Sequence, residues 1–353
     1  MIFESVEFDD HEQVVFARDA ASGLKAVIAI HSTALGPAAG GCRILPYKDE
    51  QAALTDVLRL SRAMTLKNAM AGLPLGGGKS VIIADPAYEK SPALLRAMGE
   101  AIDRLGGRYI TAEDVGTSAA DMVEIRKGTR YVMGLPVSAG GSGDPSPSTA
   151  LGCFEGIRAA VAYKLGLSSL EGVHVAVQGL GNVGFNLARL LAEAGAELTV
   201  SDIRPAMVAQ AVRAFGARAV DAGAITGVEA DVFAPCALGA VLNDETLPRL
   251  KVAVVAGAAN NQLATPAHGA ALRDRGILYA PDYVINAGGI IRVGAEITGG
   301  TRADVDARVR GIGDTLRAVF RTADAEGIAT SDAADRMALD RIALTRKAGA
   351  VAA

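Results

Sequence analysis

The spacing of apolar residues divides the chain into an irregular first part and a regular second part. In the first part, the β-branched residues 27–30 predict a strand, and apolar residues three or four apart over 50–71 predict an amphipathic helix. Residues 80–84 (SVIIA) predict a buried strand. The Ser-Pro pair that opens 91–105 predicts a helix start, because Ser is a frequent N-cap and Pro suits the first helical position.

The second part alternates helix and strand patterns after a Gly/Pro/Ser-rich stretch, 132–148, that predicts a hinge loop. Helices are predicted at 150–165 and 182–194, and strands at 173–178, 197–202, 231–234, 252–256 and 277–280. Strands that alternate with helices predict a parallel, doubly wound sheet. Residues 304–347 predict helix with a break at Gly327.

Length and composition fit a two-domain α/β protein that does not bind nucleic acid. The 353 residues correspond to about two domains at about 150 residues each. The net charge of −4 argues against a general binder of phosphate backbones, which would be basic. Aromatic residues make up 4% and Trp is absent, so a base-stacking platform is not expected either.

Cysteine, histidine and hydropathy patterns exclude several other classes. Three separated cysteines without a CxxC pair do not form a disulfide framework, and four scattered histidines without HExxH predict no metal site. The acidic N-terminus, MIFESVEFDD, lacks a signal-peptide pattern. No uncharged apolar run reaches the roughly 18 residues of a membrane helix. We therefore expect a soluble protein of the reducing cytoplasm, without a membrane partner.

A glycine-rich turn between a predicted strand and a predicted helix indicates a dinucleotide site. The strand VHVAVQ leads into Gly179-Leu180-Gly181-Asn182-Val183-Gly184. These glycines permit a tight turn and close approach of a pyrophosphate to the helix N-terminus. The next strand ends at Asp202, where a carboxylate binds a ribose 2′-hydroxyl and favours NAD. Arg204 stands two residues later and could accommodate the 2′-phosphate of NADP, so the sequence leaves this choice open.

A second glycine run precedes Lys79 and resembles a phosphate-binding loop only superficially. The P-loop pattern requires Gly six residues before the lysine, where this chain has Leu73, and a strand rather than a helix follows. The alternative is that Lys79 and Lys67 converge on one pocket. One could then hold a carboxylate while the other acts as a base, although a single lysine is more often a solvated charge.

An acidic pair follows the strand-like residues 109–110. Asp114 stands beside Gly116 at the end of this strand and is an acid/base candidate. Glu113 is its competitor, and the residues alone do not separate the two.

Together the motifs resemble the glutamate/leucine/phenylalanine/valine dehydrogenase family over nearly the whole chain. The segments are GPAAGGCR (36–43), MTLK (64–67), PLGGGK (74–79), TAEDVG (111–116), GLGNVG (179–184), FAPCA (233–237), GAANN (257–261) and NAGG (286–289). The resemblance implies reversible, NAD-dependent oxidative deamination of an L-amino acid to a 2-oxo acid and ammonia. It also implies a homo-oligomer, either a dimer or an octamer.

The resemblance assigns a function to each predicted domain. Residues 1–140, joined by a returning C-terminal helix at about 328–353, would carry the substrate and the subunit contacts. Residues 141–327 would form a Rossmann domain that binds NAD, with a cleft between the domains that closes and excludes water.

The resemblance also assigns roles by motif position. Lys67 would hold the substrate carboxylate, Lys79 would be the base that activates water, and Asp114 would transfer protons at the amine. Asn260 would position both nicotinamide and substrate. Further cofactor neighbours would be Thr149, Asn182, Val183, Ile203, Cys236 and Ala237.

The first glycine motif bears on the substrate side chain. Glutamate dehydrogenases have a lysine where this chain has Ala39, so the resemblance implies an apolar substrate. The matching pocket residues are Ala39, Gly40, Met64, Ala112, Ile290 and Val293, with ordinary core packing as the alternative. Segments 111–116 and 283–286 resemble leucine and valine dehydrogenases, whereas Ala39 and 63–67 resemble phenylalanine dehydrogenases. Branched-chain substrates are favoured, with aromatic ones as the alternative, since one methylene changes selectivity by only about 1–3 kcal/mol. Cys42 replaces the family's usual threonine.

Two other classes compete with this interpretation. An NAD-sensing regulator would need the glycine loop and Asp202 but neither lysine. A 2-hydroxy-acid dehydrogenase would need a catalytic histidine, and neither His174 nor His268 lies in a supporting motif.

Overall fold

The computed structural model describes residue 3 and residues 6–352, and the side chains of this range up to residue 347. Residues 1, 2, 4, 5 and 353, which belong to the predicted first domain and its returning helix, lie outside the described residues. The chain divides into two compact units. The first unit is Met1–Asp144, Val293–Gly299 and Ala338–Ala353, and the second is Pro145–Arg292 and Gly300–Met337. The segment Val293–Gly299, placed by sequence in the cofactor domain, thus groups with the first unit.

The first unit contains a mixed sheet. Its strands are β1 (Gln13–Asp19), β2 (Leu24–Ser32), β3 (Ala38–Leu45), β4 (Gly76–Ile83) and β5 (Tyr109–Glu113). Within the described part of the chain, the order is β1-β2-β4-β3-β5. Strand β3 runs parallel to both β4 and β5, whereas β2 is antiparallel to β1 and β4. The glycine run before Lys79 is therefore part of a central strand.

Helices cover both faces of this sheet. They are α1 (Glu50–Met70), α2 (Pro92–Asp103) and α3 (Ala119–Arg126). Helix α1 begins where the Asp49 side chain accepts from Ala52 N at 2.7 Å, and α2 begins at the predicted N-cap Ser91. The apolar stripe of α1, which includes Val57, packs against Val27 and Val81 of the sheet. Stripe spacing thus predicted α1 and its buried face correctly.

The second unit contains a parallel sheet. Its strands are β6 (His174–Gln178), β7 (Glu197–Ser201), β8 (Arg218–Ala219), β9 (Val232–Pro235), β10 (Val254–Val255) and β11 (Leu278–Tyr279). Among the described residues these strands lie in the order β8-β7-β6-β9-β10-β11 and pair in parallel. This is the strand order of a dinucleotide-binding sheet. Successive strands are added on one side of β6 up to β8 and on its other side from β9 onward, so the order of addition reverses between β6 and β9. The predicted doubly wound fold is confirmed.

Further helices complete the described chain. They are α4 (Ser146–Leu165), α5 (Asn182–Glu193), α6 (Pro205–Phe215), α7 (Ala267–Asp274), α8 (Asp282–Ile285), α9 (Gly288–Thr298), α10 (Arg302–Arg310), α11 (Ile312–Glu326) and α12 (Thr330–Ala352). The predicted break at Gly327 is confirmed: this residue has φ +66° and ends α11. No helix within residues 3 and 6–352 is both long enough and apolar enough to cross a membrane.

Candidate active site

The register of three parallel strands brings the predicted base and acid together. Cys42 of β3 pairs with Ser80 of β4 on one side and with Glu113 of β5 on the other. Lys79 precedes Ser80, and Asp114 follows Glu113. The Lys79 ammonium forms an ion pair with Asp114 Oδ2, and the two side chains are only 8% and 15% exposed. Asp114 is thus the carboxylate of the acidic pair that contacts Lys79.

The absence of a side chain at Gly41 of β3 lets Asp114 approach the strand and pair with Lys79. A Cβ atom at Gly41 would stand 2.6 Å from Glu113 O and 2.8 Å from Asp114 Cβ. Any side chain there would push Asp114 away from the strand, so the close approach requires glycine. The glycine pair of the first motif therefore has a steric role beside the ion pair.

The surroundings of Asp114 favour its ionised form. Burial opposes ionisation, but the positive charges of Lys79 and Arg43 outweigh it and hold the pKa of Asp114 below its usual value. Arg43 Nη2 lies 3.6 Å from Asp114 Oδ1, and Val115 N donates to the same oxygen at 2.6 Å. In contrast, burial and the charge of Asp144 raise the pKa of Glu113.

The loop after β5 is fixed by backbone contacts that do not depend on the residue type at position 42. Asp114 N donates to Thr117 Oγ1 at 2.8 Å, and this hydroxyl donates to Cys42 O at 2.9 Å. Burial raises the pKa of the Cys42 thiol to about 12, so the thiol stays protonated. The departure from threonine at this position therefore leaves the loop anchored.

The C-terminal end of α1, which carries Lys67, lies against the start of β4. The buried Asn68 side chain donates to Gly76 O at 2.5 Å. A Cβ atom on Gly77 would overlap Thr65, so helix and strand are in close contact. Lys67 itself is half-buried. Asn68 is a functional candidate that sequence analysis missed, and its only signal was its place next to Lys67 in the motif.

Four predicted pocket residues lie close together in the first unit. Met64 Cγ lies 3.0 Å from the position that a Cβ on Gly40 would occupy. Gly40 pairs with the residue before Ala112 across β3 and β5. A Cβ on Gly134 would stand 3.8 Å from Val293 Cγ1 and 4.0 Å from Ala112 Cβ. Small residues therefore leave room beside Ala112 and Val293.

The other two predicted pocket residues, and one residue that was not predicted, differ in position. Ala39 is fully buried in β3, and Ile290 is nearly buried and belongs to the second unit. Glu296 of α9 was not predicted: its carboxylate accepts from Gly134 N at 3.0 Å and from Ser142 N at 2.6 Å. It fixes the predicted hinge loop, and only the folded structure shows this contact because its partners are distant in sequence.

In the second unit, the glycine loop lies against the turn after β9. Gly179 has φ +93°, and a Cβ on it would stand 2.8 Å from Ala237 Cβ. Cys236 N donates to Gln178 O at 2.7 Å, which holds the two turns together. Gly181 precedes α5, and no atom lies within 4 Å of its Cβ position. The open backbone at a helix N-terminus fits a bound pyrophosphate.

Asp202 lies beside this loop and is surrounded by donors. Its Oδ2 accepts from Leu180 N at 2.6 Å, and its Oδ1 accepts from Arg204 N at 2.8 Å. The Arg204 guanidinium adds contacts of 3.0 Å and 3.2 Å to the two oxygens. Hydrogen bonds from Arg204 lower the pKa of Asp202 to about 2. The neighbouring Ile203 is 88% exposed.

The predicted cofactor neighbours Asn260 and Thr149 are also anchored within the second unit. The buried Asn286 side chain donates to Asn260 Oδ1 at 2.7 Å and to Ala258 O at 3.1 Å. A buried amide thus orients an exposed one. Thr149 Oγ1 donates to Pro145 O at 3.2 Å.

The two histidines of the hydroxy-acid alternative are engaged within the second unit. His174 Nε2 is hydrogen-bonded to Thr199 Oγ1 at 2.8 Å, and His268 Nδ1 to Thr265 Oγ1 at 2.9 Å. Both interactions are those of structural side chains, so the histidines give this alternative no support.

Known proteins resemble this chain over nearly its whole length. Residues 11–131 match the family described as "Glu/Leu/Phe/Val dehydrogenase, dimerisation domain", and residues 140–211 and 206–349 match "Glutamate/Leucine/Phenylalanine/Valine dehydrogenase". A leucine dehydrogenase from Geobacillus stearothermophilus is 54% identical over 98% of this chain and 95% of its own length. A phenylalanine dehydrogenase from Caldalkalibacillus thermarum is 48% identical, covering 96% of this chain and 94% of the relative. The crystal structure of L-tryptophan dehydrogenase from Nostoc punctiforme superimposes with a TM-score of 0.87 at 48% identity, over 98% of this chain and 100% of that one.

Proposed function

Because the chain belongs to the glutamate/leucine/phenylalanine/valine dehydrogenase family, we propose that it catalyses reversible, NAD-dependent oxidative deamination of an apolar L-amino acid. The products are the 2-oxo acid and ammonia. The observation that carries the proposal is the buried ion pair between Lys79 and Asp114. A regulator that only senses NAD has no use for such a pair.

Three side chains of the first unit divide the chemistry on the substrate. The Lys67 ammonium holds the substrate carboxylate. After hydride has left the α-carbon for the nicotinamide, the substrate is an iminium ion, and Lys79 Nζ takes a proton from the water that adds to its carbon. Lys79 needs to be neutral to do so. The adjacent Asp114 carboxylate transfers protons at the departing amine. The ion pair therefore keeps the proposed base and the proposed proton-transfer group in contact.

The glycine loop and Asp202 of the second unit would hold the dinucleotide. NAD, when bound, supplies the hydride acceptor. The open backbone at Gly181 would admit the pyrophosphate, and the ionised Asp202 carboxylate would accept from ribose hydroxyls and repel a 2′-phosphate. These two features support NAD as the cofactor. Asn260, Thr149, Cys236 and Ala237 would contact the bound dinucleotide.

The substrate side chain that fits best is apolar and branched. Ala39 removes the cation with which glutamate dehydrogenases bind a second carboxylate, and apolar Met64, Ala112 and Val293 border the space at Gly134. The similarity to a leucine dehydrogenase, at 54% identity, favours leucine and valine. The small side chain of Ala39 and the phenylalanine dehydrogenase relative favour an aromatic substrate as the second candidate.

A substrate panel tests this proposal. NADH formation is followed by absorbance with L-leucine, L-valine, L-phenylalanine, L-tryptophan and the corresponding 2-hydroxy acids, with NADP in parallel. We expect activity with amino acids and NAD, and the highest kcat/KM with L-leucine or L-valine. Activity on hydroxy acids alone would contradict the proposal, and a preference for L-phenylalanine would select the aromatic alternative.

The first unit is also proposed to mediate self-association. Residues 11–131 match a domain described as a dimerisation domain in the family. Light scattering on the purified protein should give the mass of a homo-oligomer, either a dimer or an octamer.

A further inference from the structure

Arg43 connects Asp114 to a second group of polar side chains in the first unit. It follows Cys42 in β3, and its side chain is 18% exposed. Nη2 lies 3.6 Å from Asp114 Oδ1, while Nη1 donates to Asp56 Oδ2 of α1 at 3.0 Å. One guanidinium thus bridges the loop after β5 and the helix that covers the sheet.

Asp56 is itself fixed by a second donor. The Tyr47 hydroxyl donates to the same Asp56 oxygen at 2.6 Å. Burial and the Asp56 carboxylate raise the pKa of Tyr47 above its usual value, so the phenol remains a donor at every working pH. Arg43 is therefore held from the helix side by a carboxylate that cannot easily turn away.

The cations beside Asp114 behave differently during the proposed reaction. Lys79 has to become neutral when it acts as a base, and Asp114 then loses the charge of its nearest partner. Arg43 cannot lose its proton in a protein. It therefore keeps a positive charge beside Asp114 throughout the cycle.

We propose that Arg43 is a positioning residue for proton transfer, which holds the Asp114 carboxylate toward Lys79 and is itself held by Asp56 and Tyr47. The inference rests on the proposed function of Lys79 and Asp114. A planar guanidinium with several donors suits this bridge, because it can reach two carboxylates in fixed directions at once.

Apart from Lys79, Arg43 is the charged group near Asp114 that a substitution can remove, because the other described groups that face Asp114 are neutral. From β4 comes Lys79, and from β3 come Arg43 and the Cys42 thiol. The buried phenol of Tyr109 and the phenol of Tyr47 also sense the Asp114 charge. Burial raises the pKa of the thiol and of both phenols, so they are neutral at working pH.

Arg43→Gln and Arg43→Lys, compared with the wild type over pH, test the proposal. Arg43 lowers the pKa of Asp114, so its removal should raise that pKa and move the acid limb of the kcat profile upward. We expect a shift of about 1 pH unit in Arg43→Gln, the lower end for an opposite charge at this range. kcat should fall about tenfold or more, while KM for the amino acid changes less. In Arg43→Lys the acid limb should lie between those of the wild type and Arg43→Gln, because lysine keeps the positive charge but lacks the forked guanidinium that contacts both carboxylates.

Arg59→Gln is the matched control. Arg59 lies on α1 near Asp56 but pairs with Glu7 on the exposed side, so its removal should leave the pH profile unchanged. Melting temperatures establish that each variant is folded. If Arg43→Gln does not fold, Arg43→Lys still carries the test, since loss of the fork alone should lower kcat and move the limb upward by a smaller amount.

A double-mutant cycle tests the link to the helix. Asp56→Asn should lower kcat in the wild-type background and change little in Arg43→Gln, because both substitutions disrupt one chain of contacts. Additive effects would overturn the role of Asp56. An active wild type with an unshifted limb in Arg43→Gln would overturn the inference alone. A wild type that forms no NADH from amino acids would refute the proposed function, and this inference with it.

Discussion

Two carboxylates, one in each unit, follow parallel strands and are paired with cations in different ways. Asp114 follows β5, and its partners Lys79 and Arg43 come from two other strands of the sheet. Asp202 follows β7, and its partner Arg204 stands two residues later in the same turn. The Lys79 side chain is 8% exposed, whereas that of Arg204 is 54% exposed. The first pair is fixed by strand register, and the second is a local contact at the surface.

This difference separates two kinds of site. The Lys79 and Asp114 contact is fixed by strand register, so it requires no rearrangement within the first unit. Asp202, in contrast, has its oxygens occupied by Leu180 and Arg204, and the ribose of the proposed NAD would have to replace some of these donors. Substitutions in the Lys79–Asp114 pair should therefore lower kcat, and substitutions in the Asp202–Arg204 pair should change the affinity for the cofactor.

The largest effect is expected at Lys79. Lys79→Ala removes the proposed base and should lower kcat by at least about 100-fold, the lower end for the loss of a general base. Steady-state kinetics of NADH formation measures this loss. Lys127→Ala is the control, because Lys127 is an exposed lysine of the same unit. Near-normal turnover of the Lys79 variant would refute the role of Lys79 as the base. The proposed difference between a catalytic pair and a binding pair would then fail as well.

A smaller effect is expected at Asp202, and it should appear in binding. Asp202→Ala removes a charged acceptor for the ribose, and hydrogen bonds to charged groups contribute about 1.5–3 kcal/mol, so the Kd for NAD should rise about tenfold or more. Calorimetric titration of the enzyme with NAD, without substrate, measures it. Glu193→Ala removes an exposed carboxylate of α5 and should leave Kd unchanged. If Asp202→Ala lowered kcat and left the Kd for NAD intact, the binding role of Asp202 would be refuted.

The same contrast explains what the sequence could reveal. The periodicity of 50–71 predicted α1 to within a residue, and the glycine turn after β6 was recognised because strand, loop and helix are contiguous. Arg204 was likewise visible beside Asp202. Local spacing therefore sufficed to predict the glycine turn and the position of Asp202 and Arg204 beside it.

Contacts made by register could not be predicted in this way. Arg43 was seen only as the last letter of a motif, because its partners are chosen by the pairing of β3 with β5 and by the packing of α1. Glu296 acquires its partners through similar long-range contacts, and Asn68 acquires its partner through the packing of α1 against the start of β4. The residues alone left the choice between Glu113 and Asp114 open, and the family resemblance favoured Asp114. The structure shows that Asp114 is the carboxylate that contacts Lys79.

The smallest effect is expected at Arg204 and sharpens the comparison further. Arg204→Ala frees the Asp202 carboxylate from a competing donor, so NAD should bind a few-fold more tightly and NADP more weakly. Arg204 lowers the pKa of Asp202 from 3.8 to about 2, and without it that pKa should rise. Because the proposed contact with ribose needs the ionised carboxylate, the NAD affinity of the variant should begin to fall at a higher pH than that of the wild type. Titrations with both cofactors over pH measure these shifts. Unchanged affinities for NAD and NADP would mean that Arg204 does not compete with the cofactor for Asp202. The Asp202–Arg204 pair would then have no role in cofactor binding.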